Sequence, residues 1–195
     1  RAMKRHGIEN EGLATKLPGM VHQGLQRLYG FQYEDGGWGW WKHDATDEFM
    51  TTYVVFGLLT AWQAGYQISE SILQRGVDVL HSHALTPFSA YVLKMANADV
   101  QFDLDDIQRI KDPRHQSALT EELAYLVLAG YGDLAGTLPV DPPRNSGPSQ
   151  VRATALVVRA LASLDVQDKR IPRLVDWLMQ QRRGGAWYST LDTAY

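Results

Sequence analysis

Positions 32–38 read QYEDGGW and positions 181–187 read QRRGGAW, so the pattern Gln-x-x-x-Gly-x-Trp occurs twice in 195 residues. In both places an amphipathic stretch precedes the motif, and an apolar stretch containing threonine and tyrosine follows it. Paired glycines accept positive φ and let the chain reverse sharply after a helix. The unit is therefore helix, glycine turn with tryptophan, helix, and repeated units of that kind build closed or stacked helical arrays.

The tryptophan of each motif brings a large flat apolar surface and one N–H group to the turn. We expect it to fill the gap between two helix ends, because an aromatic side chain beside a helix terminus usually belongs to the core. The interpretation of both turns is therefore structural. The residues assigned to them are Gln32, Gly36, Gly37, Trp38, Trp40, Trp41, Gln181, Gly185 and Trp187.

Length and composition limit the class of protein. A chain of 195 residues with 45% hydrophobic content can bury a core and is interpreted as a single domain over 1–195. The net charge is −3 and no basic run occurs, which argues against nucleic acid as a partner. No apolar run is long enough for a transmembrane segment, and cysteine is absent. Helical patterns are cut at both ends, so we expect a domain truncated at both ends, an excerpt of a longer polypeptide.

Hydrophobic periodicity predicts an all-α protein. Stretches with one apolar stripe at three- and four-residue spacing predict one-sided helices near 18–31, 69–83 and 169–182. Stretches that are apolar almost all round predict buried helices near 48–64, 87–97, 118–131 and 149–164. No run alternates apolar and polar residues for long enough to predict a strand.

The two kinds of helix largely alternate along the chain. That order is typical of an inner ring of helices covered by an outer ring, so we expect an α/α toroid of helical hairpins in two concentric layers, of which this chain is an incomplete excerpt. The alternation fails once. The proline- and glycine-rich stretch 138–148 stands where an outer helix belongs, and its composition predicts a loop.

The run QYEDGGWGWWK at 32–42, followed by DEFMTTYV at 47–54, strongly resembles the thioester domain of bacterial alpha-2-macroglobulins. A second segment, QQRRGGAWYSTLDTAY at 180–195, is similar to that family's Ser-Thr-Gln-Asp-Thr-Ala-aromatic segment, with Leu191 in place of the usual glutamine. The resemblance covers nearly the whole chain and is weakest over 132–148.

The resemblance implies a protease-inhibitor domain rather than an enzyme, without a cofactor or metal. Its implied partners are target proteases and neighbouring macroglobulin-like domains of the same polypeptide, and its implied location is the periplasm, the cell envelope or the extracellular space. In that family a Cys-x-Glu-Gln motif forms a reactive internal thioester. This chain has no cysteine, so the resemblance places the motif upstream of Arg1, if the protein has it at all. A thioester-less scaffold domain is the alternative within the family.

A class II terpene cyclase-like toroid is the second alternative, since those proteins share the Gln-x-x-x-Gly-x-Trp pattern. The run DLDD at 103–106 matches their Asp-x-Asp-Asp, in which clustered carboxylates produce a strong general acid. The preferred interpretation is a helix start: Asp103 caps the helix, and Asp105 and Asp106 lie at its positive end. The Thr-Ala that typically follows the cyclase motif is absent here.

Two further groups of residues bear on chemistry. His81 and His83 do not predict a metal site, because residues two apart on a helix point away from each other. His43 lies beside the Trp-rich turn, and some family members use a histidine to speed acyl transfer from the thioester; an exposed loop histidine is the more ordinary interpretation. The pairs Glu121-Glu122 and Arg182-Arg183 are interpreted as solvated helix faces.

Overall fold

A computed structural model describes residues 11–103, 116–145 and 147–182. Within these ranges the chain is all-α, with one 3₁₀ helix and no strand. The α-helices are α1 (Glu11–Gly30), α2 (Glu48–Gln63), α3 (Glu70–Ser82), α4 (Pro87–Met95), α5 (Gln116–Leu128), α6 (Pro148–Leu164) and α7 (Ile171–Gln180), and the 3₁₀ helix spans Gly132–Thr137. The chain divides into two compact units, unit 1 from Arg1 to Leu85 and unit 2 from Thr86 to Tyr195.

Unit 1 is built around α2. The Asp47 carboxylate starts this helix by accepting a hydrogen bond from the Met50 N–H at 2.8 Å, which satisfies one of the free amides of the first turn. Helices α1 and α3 pack against α2. The packing fully buries Val55, Leu58 and Leu59 of α2, so one face of α2 forms the core of the unit.

Unit 2 packs α5 between α4 and α6, and α7 against α6. Helix α4 begins at a capping box, in which the Thr86 and Ser89 side chains each accept from the other residue's backbone N–H. The core contains leucines from four helices, all fully buried: Leu93, Leu126, Leu156, Leu161 and Leu174.

The structure confirms the predicted helices: six of them agree within about three residues at each end, whereas the first begins at Glu11 instead of near residue 18. It also confirms an irregular segment from 138 onward, although Pro148 begins α6 instead of ending the loop, as its fixed φ favours. No helix of the described residues is both long and apolar enough to cross a membrane. The arrangement of the helices in two concentric layers stays a prediction.

The prediction that α2 is buried all round is wrong. The side chains of Phe49, Tyr53 and Trp62 are 59%, 40% and 53% exposed. The rings of Phe49 and Tyr53 stack on each other, 6.2 Å apart, at the surface. An apolar composition means only that a helix can be buried on every face. How many faces are actually covered depends on the number of helices packed against it.

Candidate functional site at the glycine-tryptophan turn

The glycine-tryptophan turn, residues 32–38, connects the end of α1 to the segment before α2. Its backbone closes on itself: the Tyr33 N–H donates to the Gly37 carbonyl at 2.9 Å, and the Gly36 N–H donates to the Tyr33 carbonyl at 3.0 Å. The Asp35 carboxylate accepts hydrogen bonds from the Thr46 hydroxyl at 2.6 Å and from the Gly37 N–H at 3.0 Å. These two hydrogen bonds hold the pKa of Asp35 below its ordinary value, so its carboxylate stays ionised.

Gly36 is required by backbone geometry and by space. Its φ is +98°, a conformation that favours glycine. A Cβ atom at this position would also lie 2.8 Å from the carbonyl oxygen of Arg75 on α3. The turn and α3 therefore approach each other closely enough that a side chain at Gly36 has no place.

Gly36→Ala is expected to destabilise unit 1 by about 2–3 kcal/mol, from backbone strain together with the contact to Arg75. Gly57→Ala is the matched control. Gly57 lies in the interior of α2 with open space around the position of its Cβ, so this substitution is expected to stabilise the helix by about 0.5–1 kcal/mol. Urea unfolding of the two variants measures the difference. Equal changes in unfolding free energy for the two variants would show that α3 can move to accommodate a side chain at Gly36.

Trp38 is the centre of the site and is only 2% exposed. Its indole N–H donates to the Leu28 carbonyl on α1 at 2.8 Å. Its backbone N–H donates to the Thr51 hydroxyl at 3.0 Å, and that hydroxyl donates back to the Trp38 carbonyl at 3.1 Å. The ring reaches α3 at Gly76, where a Cβ atom would lie 2.8 Å from the ring. Through its side chain and its backbone, this one residue thus joins all three helices of unit 1.

Two long side chains fix the turn against α3. The Gln32 amide donates to the carbonyls of Gly36 and Ile72, both at 2.9 Å. The Arg75 guanidinium donates to the carbonyls of Tyr33 at 2.6 Å and Glu34 at 2.9 Å. The constant glutamine of the Gln-x-x-x-Gly-x-Trp pattern therefore binds its own glycine and the neighbouring helix, which explains the spacing of the motif.

The chain is similar to an alpha-2-macroglobulin from Thermotoga maritima, at 29% identity over 201 residues. The alignment takes in 97% of this chain and 12% of the relative, so the chain spans only a small part of the curated relative's length. No protein-family model matches the chain. The similarity supports a relationship to the alpha-2-macroglobulin family.

The polar side chains of the glycine-tryptophan turn form hydrogen bonds within unit 1. The polar groups of Gln32, Asp35 and Thr51 are all used to hold backbone and neighbouring side chains. Trp40, Trp41 and His43 lie in the exposed segment beyond it. The glycine-tryptophan turn is a structural junction, and its exposed neighbours are available for contacts with other molecules.

Other residues predicted from the sequence fall elsewhere. The Gln181 amide donates to the Trp177 carbonyl at 3.3 Å, at the end of α7. The described residues do not include Gly185 and Trp187 of the second turn. They also do not include Asp105 and Asp106 of the proposed helix start.

His81 and His83 lie at the end of α3. The His83 ring nitrogen Nδ1 is 2.8 Å from the Val79 carbonyl, so His83 closes the last turn of the helix. Across the described residues, no three His, Asp or Glu side chains are grouped to bind a metal ion.

The prediction that Glu121 and Glu122 form a solvated face is wrong. Glu121 is mostly buried and pairs with Arg152 of α6, whose Nε lies 3.1 Å from both carboxylate oxygens. The Glu122 Oε2 atom is buried without a hydrogen-bond partner. Desolvation, with a smaller contribution from the adjacent Glu121, raises the pKa of Glu122 to about 7. The physical reason is that α4 and α6 pack against α5 and leave little of that helix in water.

A groove of about 440 Å³ lies within unit 2 between α5, α6 and the proline-rich segment 139–145. Apart from the loop composition of that segment, no pattern in the sequence predicted the groove. Its charged lining residues are Asp141, which pairs with Arg173, and Arg144. The described lining holds hydroxyl and amide groups but no histidine.

Proposed function

We propose that this chain belongs to a thioester-type domain of a bacterial alpha-2-macroglobulin-like protease inhibitor of the cell envelope or extracellular space. In this proposal the chain supplies helical framework, and the reacting Cys and Gln lie outside the 195 residues. Its partners are target proteases and the neighbouring macroglobulin-like domains. The single observation that carries the proposal is the glycine-tryptophan turn, whose QYEDGGWGWWK run joins three helices in an all-helical unit.

The chemistry of the proposed domain explains why the framework is helical and rigid. An internal thioester survives only where water is excluded, and it acylates a protease amine when the domain opens. The amine attacks the thioester carbonyl, an amide bond forms, and the cysteine leaves as a free thiol. A rigid junction such as the one around Trp38 keeps the helices that would enclose the bond in a fixed arrangement.

The test is methylamine treatment of the full-length protein. Methylamine is expected to add to the protein once per thioester, to release one free thiol and to abolish covalent capture of a protease. The control is a variant in which the thioester cysteine is replaced by serine, which should neither take up methylamine nor capture protease. A full-length protein without uptake or released thiol would contradict the thioester proposal and favour the scaffold alternative.

The isolated 195-residue chain is expected to be inert in the same assays. It contains no cysteine, so it has no thiol with which to form the bond, and mass spectrometry should find no methylamine adduct and no protease adduct. Covalent capture by the chain alone would contradict the proposal. Cyclisation of an isoprenoid substrate that depends on Asp105 would instead favour the terpene cyclase alternative.

A further inference from the structure

The Trp loop, residues 39–46, displays two tryptophan rings to solvent. Trp40 is 62% exposed and Trp41 is 77% exposed. Tryptophan is highly buried on average in folded proteins, and exposed tryptophans are enriched in the energetically dominant centres of interfaces. Both rings stay largely exposed when the described residues are folded. The two tryptophan side chains therefore contribute little to the stability of unit 1.

The backbone that carries these rings is fixed. The Asp44 N–H donates to the Trp41 carbonyl at 3.2 Å, and the Tyr33 hydroxyl donates to the same carbonyl. The far end of the loop is tied by the Thr46 hydroxyl to Asp35 at 2.6 Å. A partner therefore meets a preorganised surface, which reduces the entropy that binding costs.

The surroundings of the loop are acidic. Residues 31–48 contain five carboxylates and one lysine, a net charge of −4, whereas the whole chain carries −3. The rest of the sequence therefore sums to +1. Glu34, Asp35 and Asp44 are exposed and lie close to the two tryptophans in the sequence. Arg75 of α3 has its guanidinium held by two carbonyls of the turn and offsets only part of this charge.

We propose that the Trp loop and its carboxylates form a docking site for a polypeptide segment rich in arginine and lysine. Guanidinium and ammonium groups bind over the faces of indole rings, and carboxylates beside the rings pair with the same cations. The negative charge of this surface repels anionic membranes and nucleic acid. Exposed tryptophans bind those partners when the surrounding residues are basic, and here they are acidic. The surface has this complementarity whether or not the chain is part of a thioester-type domain.

The test measures binding of a short peptide of alternating arginine and glycine to the 195-residue chain by isothermal titration calorimetry at low salt. Trp40→Ala combined with Trp41→Ala is expected to weaken binding at least about tenfold, the effect of removing an interface centre. Trp62→Ala, which removes an exposed tryptophan from α2, should leave binding unchanged. Raising the salt concentration should weaken binding of the wild-type chain, since exposed charges are screened.

A second pair of variants tests the carboxylates independently of the rings. Glu34→Gln combined with Asp44→Asn is expected to weaken binding about fivefold or more. The matched control, Glu70→Gln combined with Asp78→Asn, removes two exposed carboxylates from α3 and should leave binding unchanged. Circular dichroism shows whether each variant keeps the helical content of the wild-type chain.

Three outcomes would overturn the proposal. If the α3 control variant lost binding to the same extent, the peptide would be attracted by the overall charge of the chain and not by the Trp loop. Binding of the wild-type chain to neutral phosphatidylcholine vesicles, lost with the two tryptophans, would assign the loop to a membrane surface. Concentration-dependent dimerisation lost with the same variant would make a second copy of this chain the partner.

Discussion

Replacing Trp38 with alanine is expected to destabilise unit 1 by about 3–5 kcal/mol, the range for removing a buried aromatic side chain. The ring is 2% exposed and lies where α1, α2 and α3 meet. The loss includes the cavity left by the ring and the Leu28 carbonyl that is left without its donor. Because native domains are stable by only about 5–15 kcal/mol, this loss removes a large fraction of the free energy of unfolding.

Two companion variants separate the contributions. Trp38→Phe keeps a ring but removes the indole N–H, so it is expected to cost about 1–3 kcal/mol, partly from the unpaired Leu28 carbonyl. Trp41→Ala removes a ring that is 77% exposed and should change stability by no more than about 0.5 kcal/mol. Urea unfolding followed by circular dichroism measures all three. A Trp38→Ala variant as stable as Trp41→Ala would show that Trp38 is not a structural junction.

The positions of the helices were predictable because hydrophobic periodicity is a local property. The buried face of α3, for example, follows from apolar residues at helical spacing around Val77 and Leu80. The structural role of the first turn was predictable for the same reason. Two adjacent glycines and a tryptophan after an amphipathic stretch form a local signal, and Trp38 is buried in the folded unit.

The partners of the turn were not predictable, because they depend on contacts between distant positions. The Gln32 amide binds the Ile72 carbonyl, 40 residues away in the sequence, and Arg75 reaches Tyr33 over a separation of 42. No periodicity encodes such a pairing. The same limit explains why Trp38 and Trp41, three positions apart and chemically identical, have opposite exposures: which ring is covered depends on how α3 packs.

Burial of single charged residues was the weakest part of the sequence interpretation. Two adjacent glutamates usually mark a solvated face, yet Glu121 pairs with Arg152 and Glu122 is largely buried. The available signal was the surrounding sequence of α5, which is apolar on nearly every side. A helix with so little polar surface has no fully solvated face on which to place two carboxylates.

Glu122 makes the stability of unit 2 depend on pH. Its pKa rises from the ordinary value of 4.5 to about 7 in the folded chain, chiefly because burial disfavours the charged form. The folded state therefore binds a proton between these two values that the unfolded state releases. Stability is highest when Glu122 is protonated and falls as the pH rises from about 4.5 to about 7, above which the penalty is constant. A shift of this size corresponds to about 3 kcal/mol.

Glu122→Gln removes the charge while keeping the shape of the side chain. Above pH 7 it is expected to stabilise unit 2 by up to about 3 kcal/mol, and at pH 4.5 the gain should be close to zero. The quantity to measure is the difference in unfolding free energy between variant and wild type at several values of pH, because titration of all other groups cancels in it. Glu70→Gln, at an exposed position of α3, should give a flat difference. If the difference for Glu122→Gln were also independent of pH, the Glu122 carboxylate would be hydrated in the folded state. The packing of α4 and α6 against α5 would then be looser than the structure shows.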